Sequence, residues 1–263
     1  MLNISEIEKF YDNNQRLFKR NILREYLQYK ILQIIFNSEY SSKLSFMGGT
    51  CLRIIFGTHR FSEDLDFDNF GLTVKEFTSL SQIVLKALIK EGYSVEIKIV
   101  NKGAFRCYIR IPNLLFDNQL SGYKEEKILI QLDTENQNFV YASEAFLLNK
   151  FDIFTKIFYT PKEILLSQKI WAIINRKTPK GRDFYDTLYL FSIAAPNYNY
   201  LENKAGIKNL SNLKNELLKK IKTINFTQLK EDVSPFLMNS TDLERIGFFP
   251  EYINNLEIYA KTE

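Results

Sequence analysis

The chain reads as an α/β protein of the α+β kind, a mixed sheet flanked by helices and followed by an α-helical C-terminal domain. Three observations predict this. A long segment with helical apolar period opens the chain, short stretches of alternating apolar and polar residues cluster between residues 44 and 133, and a 3.6-residue period dominates after Thr160. The change of pattern puts a boundary near 150 to 160, giving an α/β domain of about 1–155 and a helical domain of about 156–263.

Each element follows from its own spacing. Ile22, Leu23, Tyr26, Leu27, Ile31, Ile34 and Ile35 recur at helical intervals and predict one amphipathic helix over about 15–39. Leu44 to Met47 reads as a brief buried strand, and Gly48-Gly49-Thr50 as the turn into a helix ending near Phe56, with glycines where the backbone must approach a neighbour closely. Arg60 to Phe67 reads as a strand and about 75–91 as a helix. Val95, Ile97 and Ile99, then Phe105, Cys107, Ile109 and Ile111, then Ile128, Ile130 and Leu132 alternate as three further strands. Beyond these, Pro161 suits a first helical position with Thr160 as N-cap and Glu163 as its reciprocal partner. Helices are predicted over about 161–175, 182–193, 207–221 and 241–246.

Composition narrows the class. The 263 residues are 45% hydrophobic, which argues for a folded core rather than disorder. A formal charge of +4 tolerates polyanionic partners without demonstrating them. Cys51 and Cys107 form no metal-ligand pair, and a single histidine excludes a His-rich zinc centre. A reduced, cytoplasmic protein is expected, and no apolar run is long enough for a membrane span. Six lysines between 204 and 222 fit the wet face of a helix whose apolar face carries Leu210, Leu213, Leu217 and Ile221, with an RNA-facing role as the alternative.

The run HRFSEDLDFD, residues 59–68, carries the chemistry. Side chains reverse direction at each strand residue, so Leu65 and Phe67 enter the core while Asp64, Asp66 and Asp68 share the opposite face. Neighbouring carboxylates repel one another, and Mg²⁺ relieves this while accepting hard oxygen ligands. Asp64 and Asp66 are the foremost metal candidates, and Asp133, ending another strand, joins them if the two strands pair. The competing reading is an acidic surface strand. Upstream, Gly48 and Gly49 can expose successive amides and Thr50 a hydroxyl at a helix start, a setting that favours phosphate, with Arg53 and Arg60 nearby to support it or to pair with local acids. Farther on, Lys169 and Arg176 lie seven positions apart on one helix face, and Arg182 follows the turn containing Pro179 and Gly181. These cations could hold a triphosphate, with Asp183 and Asp186 orienting Lys169 or Arg182; an interhelical salt-bridge network is the alternative.

In this order the motifs resemble the nucleotidyltransferase toxins of bacterial abortive-infection type IV toxin–antitoxin systems, the AbiEii/AbiGii family. GGTCLRIIFG followed by HRFSEDLDF looks like the family's opening signature, with Gly48, Gly49, Asp64 and Asp66 at its glycine and acid positions. QLDT supplies Asp133, and PKEILLSQKIWAIINR followed by GRDFYD resembles the later lysine and RD-x-x-D signature, carried onto Lys169, Arg182, Asp183 and Asp186. The likeness covers about residues 44–190. Gly49 stands where many nucleotidyltransferases have serine, which removes one hydroxyl contact to phosphate.

The resemblance implies Mg²⁺-dependent transfer of a nucleoside monophosphate from an NTP. Catalytic roles fall on Asp64, Asp66, Asp133, Lys169 and Asp183, and metal binding on Asp64, Asp66 and Asp133. Nucleotide contacts fall on Gly48, Gly49, Lys169 and Arg182, to which the physical reading of the glycine turn adds Thr50 and Arg53. It further implies an RNA acceptor at the 3′ end of tRNA and a cognate antitoxin. A basic stretch of Arg176, Lys177, Lys180 and Arg182 is the expected seat of the tRNA backbone. Modification of a protein hydroxyl and a non-catalytic nucleotide- or partner-binding protein stay open beside it.

Overall fold

A computed structural model describes residues 2–239 and 241–259. The chain divides into two compact units, one of residues 1–56 and 61–160, the other of 57–60 and 161–263. The expected boundary at 155 falls inside a strand, and the first unit runs on to Thr160.

The first unit contains α1 (Ile4–Glu8), α2 (Lys19–Phe36), β1 (Leu44–Met47), α3 (Gly48–Phe56), β2 (Leu65–Asn69), α4 (Val74–Lys90), β3 (Glu96–Lys102), β4 (Ala104–Ile111), α5 (Leu114–Asp117), β5 (Ile128–Glu135), β6 (Glu144–Lys150) and β7 (Ile153–Tyr159). Its strands form one mixed sheet in the order β3-β4-β5-β2-β1-β7-β6. β2 runs parallel to β5 and antiparallel to β1, while β1 and β7 are parallel. The core lies where α2 packs on β7 and α4 on β3 and β4, with the Phe77 and Phe105 rings 5.6 Å apart. Ile22, Tyr26, Leu27, Ile31 and Leu32 of α2 are wholly buried, as are Leu65, Ile109 and Ile130 of the sheet. Each such side chain contributes about 1.5–3 kcal/mol.

The predicted strands over residues 95–111 and 128–132 are present, as is the helix over about 75–91. Its start is fixed by Thr73 and Glu76, whose side chains each accept from the other's backbone N–H. The first long helix is shorter than expected, because residues 15–17 form a separate 3-10 turn. β2 begins only at Leu65, since Gly57–Arg60 belong to the second unit, where Arg60 bridges to Leu237. The hairpin β6–β7 was not anticipated. Its tight turn places Phe151 at φ 61°, a region where a bulky residue is rare, and the ring is held edge-on by Phe10, Tyr26 and Tyr29.

The second unit contains α6 (Lys162–Asn175), α7 (Gly181–Phe191), α8 (Tyr198–Ala205), α9 (Leu210–Ile221), α10 (Phe226–Val233), α11 (Asp242–Gly247), α12 (Phe249–Asn254) and α13 (Leu256–Tyr259). α6 and α7 pack against each other, and α10 and α11 both pack on α7. Phe184 anchors this core, with its ring 4.8 Å from that of Phe249. The predicted N-cap of α6 is replaced. Pro161 takes the cap position with no side-chain bond, and the Thr160 hydroxyl lies in the first unit between Ser45 (3.2 Å) and Tyr141 (2.9 Å). The helix expected over 207–221 starts at Leu210, because Gly206 at φ 70° ends α8 and the Asn209 side chain accepts from Asn212 N–H to start α9.

Candidate functional site

The acidic centre is set by strand register. Parallel pairing of β2 with β5 places Asp66 opposite Asp133, and antiparallel pairing of β1 with β2 places Met47 on the other side of Asp66. Leu65 and Phe67 are buried between these outward positions, as the alternation predicts. Asp64 immediately precedes β2, and its backbone carbonyl accepts a bond from the buried Thr50 hydroxyl. Thr50 therefore fixes the lead-in to the acidic strand rather than presenting its hydroxyl to solvent.

Gly48 makes the closest approach to the acids. It has φ 78°, and a Cβ there would sit 2.1 Å from Asp66 Oδ2. Only glycine fits between α3 and this carboxylate. Gly49 follows, buried in the first turn of α3.

Asp133 Oδ2 accepts from Gln131 Nε2 at 2.6 Å. Its buried Oδ1 has no hydrogen-bond partner, although Arg106 Nε approaches to 3.3 Å. Burial raises the carboxyl's pKa above its ordinary value, and Gln131 and Arg106 offset only part of that effect. Asp68, two residues beyond Asp66, is buried and accepts from Gln137 N–H at 3.0 Å. Among the described residues no group of three acidic, histidine or cysteine side chains converges closely enough to hold a metal unaided.

The donor set nevertheless suits a hard cation. Asp66 and Asp133 are register neighbours, one Asp133 oxygen has no hydrogen bond, and Gly48 keeps space clear beside Asp66. Mg²⁺ is commonly held by one or two carboxylates with substrate phosphates and water completing its shell.

The second unit holds a buried charge network. Arg60 grips Asp186 through Nε and an Nη, both at 2.6 Å, and Lys169 Nζ lies 2.8 Å from Asp186 and 3.3 Å from Asp183. Arg176 Nε reaches the other Asp183 oxygen at 3.2 Å. Burial alone would raise the Asp186 pKa, but Arg60 and Lys169 bring it down to about 2. For Lys169, burial favours the neutral amine, and Asp186 and Asp183 outweigh it and raise the pKa. Asp232 of α10 accepts the Gly181 N–H at 2.8 Å, capping the helix that carries Asp183 and Asp186. A Cβ on Gly181 would lie 2.0 Å from the Leu229 carbonyl oxygen, so α7 and α10 touch there backbone to backbone.

The structure brings some expected residues together and separates others. Asp66 meets Asp133 in the sheet, and Lys169 meets Asp183 and Asp186. Arg53 instead pairs with buried Glu25 at 2.9 Å, which also accepts from Lys150 and Tyr11. Arg182 has no ion pair among the described residues, so the acids orient Lys169 and not Arg182. Of the expected basic stretch, Arg176 pairs with Asp183 and Lys180 with Asp232 at 3.4 Å. Arg106 and Gln131 were missed; their signal was the outward parity of Arg106 between Phe105 and Cys107, and of Gln131 between Ile130 and Leu132.

Comparison with known proteins follows the same lines. A profile of the AbiEii family, described as nucleotidyl transferase AbiEii toxin of a type IV toxin–antitoxin system, matches residues 30–248. No match is found among curated proteins. JHP933 from Helicobacter pylori is similar over 92% of this chain and 95% of its own, at 19% identity and a TM-score of 0.56. A "putative nucleotidyltransferase" from H. pylori is similar over 93% and 99% of the two chains, at 18% identity and a TM-score of 0.58. At such identities the likeness establishes a shared fold. The profile, by contrast, takes in the glycine turn, both carboxylate strands and the lysine and RD-x-x-D helices, so the chain belongs to the AbiEii nucleotidyl transferase toxin family.

Proposed function

We propose that this nucleotidyltransferase moves a nucleoside monophosphate from an NTP to the 3′ end of tRNA. The acceptor hydroxyl oxygen attacks the α-phosphorus, the bond to the bridging oxygen breaks, pyrophosphate leaves with the electron pair, and the hydroxyl proton is lost. Asp66 and Asp133, with Asp64 at the strand start, would hold Mg²⁺, which when bound neutralises phosphate oxygens and aligns the attacking hydroxyl. The chain's own residues do the positioning. Gly48 and Gly49 bring the start of α3 against the acids, and Thr50 pins the backbone at Asp64. Lys169, kept charged by Asp183 and Asp186, is the candidate to stabilise phosphate charge. The reading rests chiefly on the Asp66–Asp133 register with Gly48 packed beneath Asp66.

Membership of a type IV toxin–antitoxin family supports a cognate antitoxin as partner and growth arrest as outcome. Buried, unbridged Cys51 and Cys107 are compatible with the cytoplasm, where tRNA is met, and no described helix is long and apolar enough to cross a membrane. The test incubates the full chain with each labelled NTP and total RNA, with and without a chelator. Wild type should label RNA, chelator should stop it, added Mg²⁺ should restore it, and Asp66→Ala should be silent. Sequencing tRNA from arrested cells should show added 3′ nucleotides; unaltered tRNA ends during Asp66-dependent arrest would refute the tRNA assignment. Label removed by protease but not by RNase would move the acceptor to protein.

A further inference from the structure

The outward face of β3, β4 and β5 continues from the acidic centre as a basic and aromatic strip. Along β4 the outward residues are Arg106, Tyr108 and Arg110, alternating with buried Cys107, Ile109 and Ile111. Arg106 lies opposite Asp133, and Asp133 lies opposite Asp66, so the strip starts at the acids. Tyr108 sits between Lys98 on β3 and Gln131 on β5, and Arg110 faces Glu96 on β3 and Leu129 on β5. The Arg110 guanidinium lies 5.6 Å from the Tyr108 ring centroid.

The charge of this face is poorly neutralised. Glu96 accepts from Lys127 with both oxygens at 2.8 Å, and Arg106 shares Asp133. Among the described residues, Lys98 and Arg110 have no acidic partner within ion-pair distance. Two residues of strand advance about 6.8 Å, so Arg106 to Arg110 covers about 14 Å. Cations spread over that length around an aromatic ring fit successive backbone phosphates and one stacked base, whereas a single triphosphate is compact.

We infer that this strip binds the single-stranded 3′ segment of the acceptor RNA, with Lys98 and Arg110 on its phosphates, Tyr108 under a base, and its terminal hydroxyl directed towards Asp133 and Asp66. The inference rests on RNA being the acceptor. It places the terminal nucleotides on the sheet of the first unit, independently of the basic residues at 176–182.

The test measures fluorescence anisotropy of an RNA oligonucleotide with a single-stranded 3′ end, bound by the full chain without metal across a salt series. For Lys98→Ala/Arg110→Ala the slope of log affinity against log salt should become shallower by about 1.4, two contacts at about 0.7 each. Tyr108→Leu should weaken binding roughly tenfold and leave that slope unchanged. Titration with NTP should be the same for wild type and all strip variants. Lys219→Ala/Lys222→Ala, one lysine in the last turn of α9 and one just beyond it, serves as a control of equal charge and should lose less. An unchanged slope in the Lys98/Arg110 variant, or an equal loss in the control, overturns the strip. Loss of NTP affinity in place of RNA affinity assigns these cations to the triphosphate and also overturns it. If the strip fails while wild type still labels RNA and Asp66→Ala does not, the nucleotidyl-transfer reading stands alone. If wild type binds no RNA and labels only protein, both fall.

Discussion

Replacing Gly48 with alanine separates the role of this glycine from ordinary backbone strain. At φ 78° an alanine costs about 1–2 kcal/mol from its own backbone conformation. Its Cβ would also sit 2.1 Å from Asp66 Oδ2, where 3.0 Å is the least such separation tolerated, so the carboxylate or α3 must yield by at least 0.9 Å. A displacement of about 1 Å in a reacting constellation can reduce rate by about 100-fold. Gly71 is the matched control, since its φ of 95° is also unfavourable for alanine but nothing lies within 4 Å of its Cβ position. At roughly 2–4 °C per kcal/mol, both Gly48→Ala and Gly71→Ala should lower Tm by several degrees. Labelled-NTP transfer should fall about 100-fold in Gly48→Ala alone. If the two variants transfer at the same rate, the collision with Asp66 does not govern activity and the argument from this contact is wrong.

Three further perturbations address the second unit. Arg60→Met leaves buried Asp186 without its bidentate partner and should cost about 3–5 kcal/mol in urea denaturation; a loss below about 1 kcal/mol would refute a structural role for the pair. The depressed pKa of Asp186, 3.8 brought to about 2, means its stabilisation is complete above the unfolded value and is lost as pH falls through the folded one. About 2 kcal/mol should therefore disappear between roughly pH 5 and pH 1 in wild type but not in Asp186→Asn, and parallel pH–stability curves would contradict this. Asp232→Ala removes the acceptor for the Gly181 N–H and should destabilise α7 by about 1 kcal/mol, read as faster hydrogen exchange at its first turn; unchanged exchange there would show that the cap is immaterial.

Much of the acidic centre was legible because it depends on period 2 and on glycine. Leu65 and Phe67 reveal the buried face of β2, and the carboxylates take what remains. The neighbour of Asp66, however, depends on which strands pair, and nothing local in QLDT states that β5 lies beside β2. The β6–β7 hairpin was hidden for a different reason. Its turn has Phe151 at a positive φ where glycine or asparagine would signal a hairpin, and the compensation comes from distant rings of α2 and the N-terminal segment. Thr160, Pro161 and Glu163 spell a capping box, yet Ser45 and Tyr141 compete for the hydroxyl and win. Arg60 was ambiguous because its partner, Asp186, is 126 residues away.

The charge network also constrains what Lys169 can do. An ammonium has three donors, and two are directed at Asp186 and Asp183, so the phosphate contact proposed for Lys169 would use the third. With its pKa raised by those carboxylates, the side chain holds its proton and is poorly suited to act as a general acid or base near neutral pH. A fixed positive charge is what stabilisation of developing phosphate charge requires, and little reorganisation is then needed when the reaction occurs. Arg60 strengthens this indirectly, because its grip on Asp186 fixes the carboxylate that in turn orients Lys169. Within the proposed function, this arrangement suits Lys169 to an electrostatic contribution and not to proton transfer, with Asp183, Asp186 and Arg60 holding it in place.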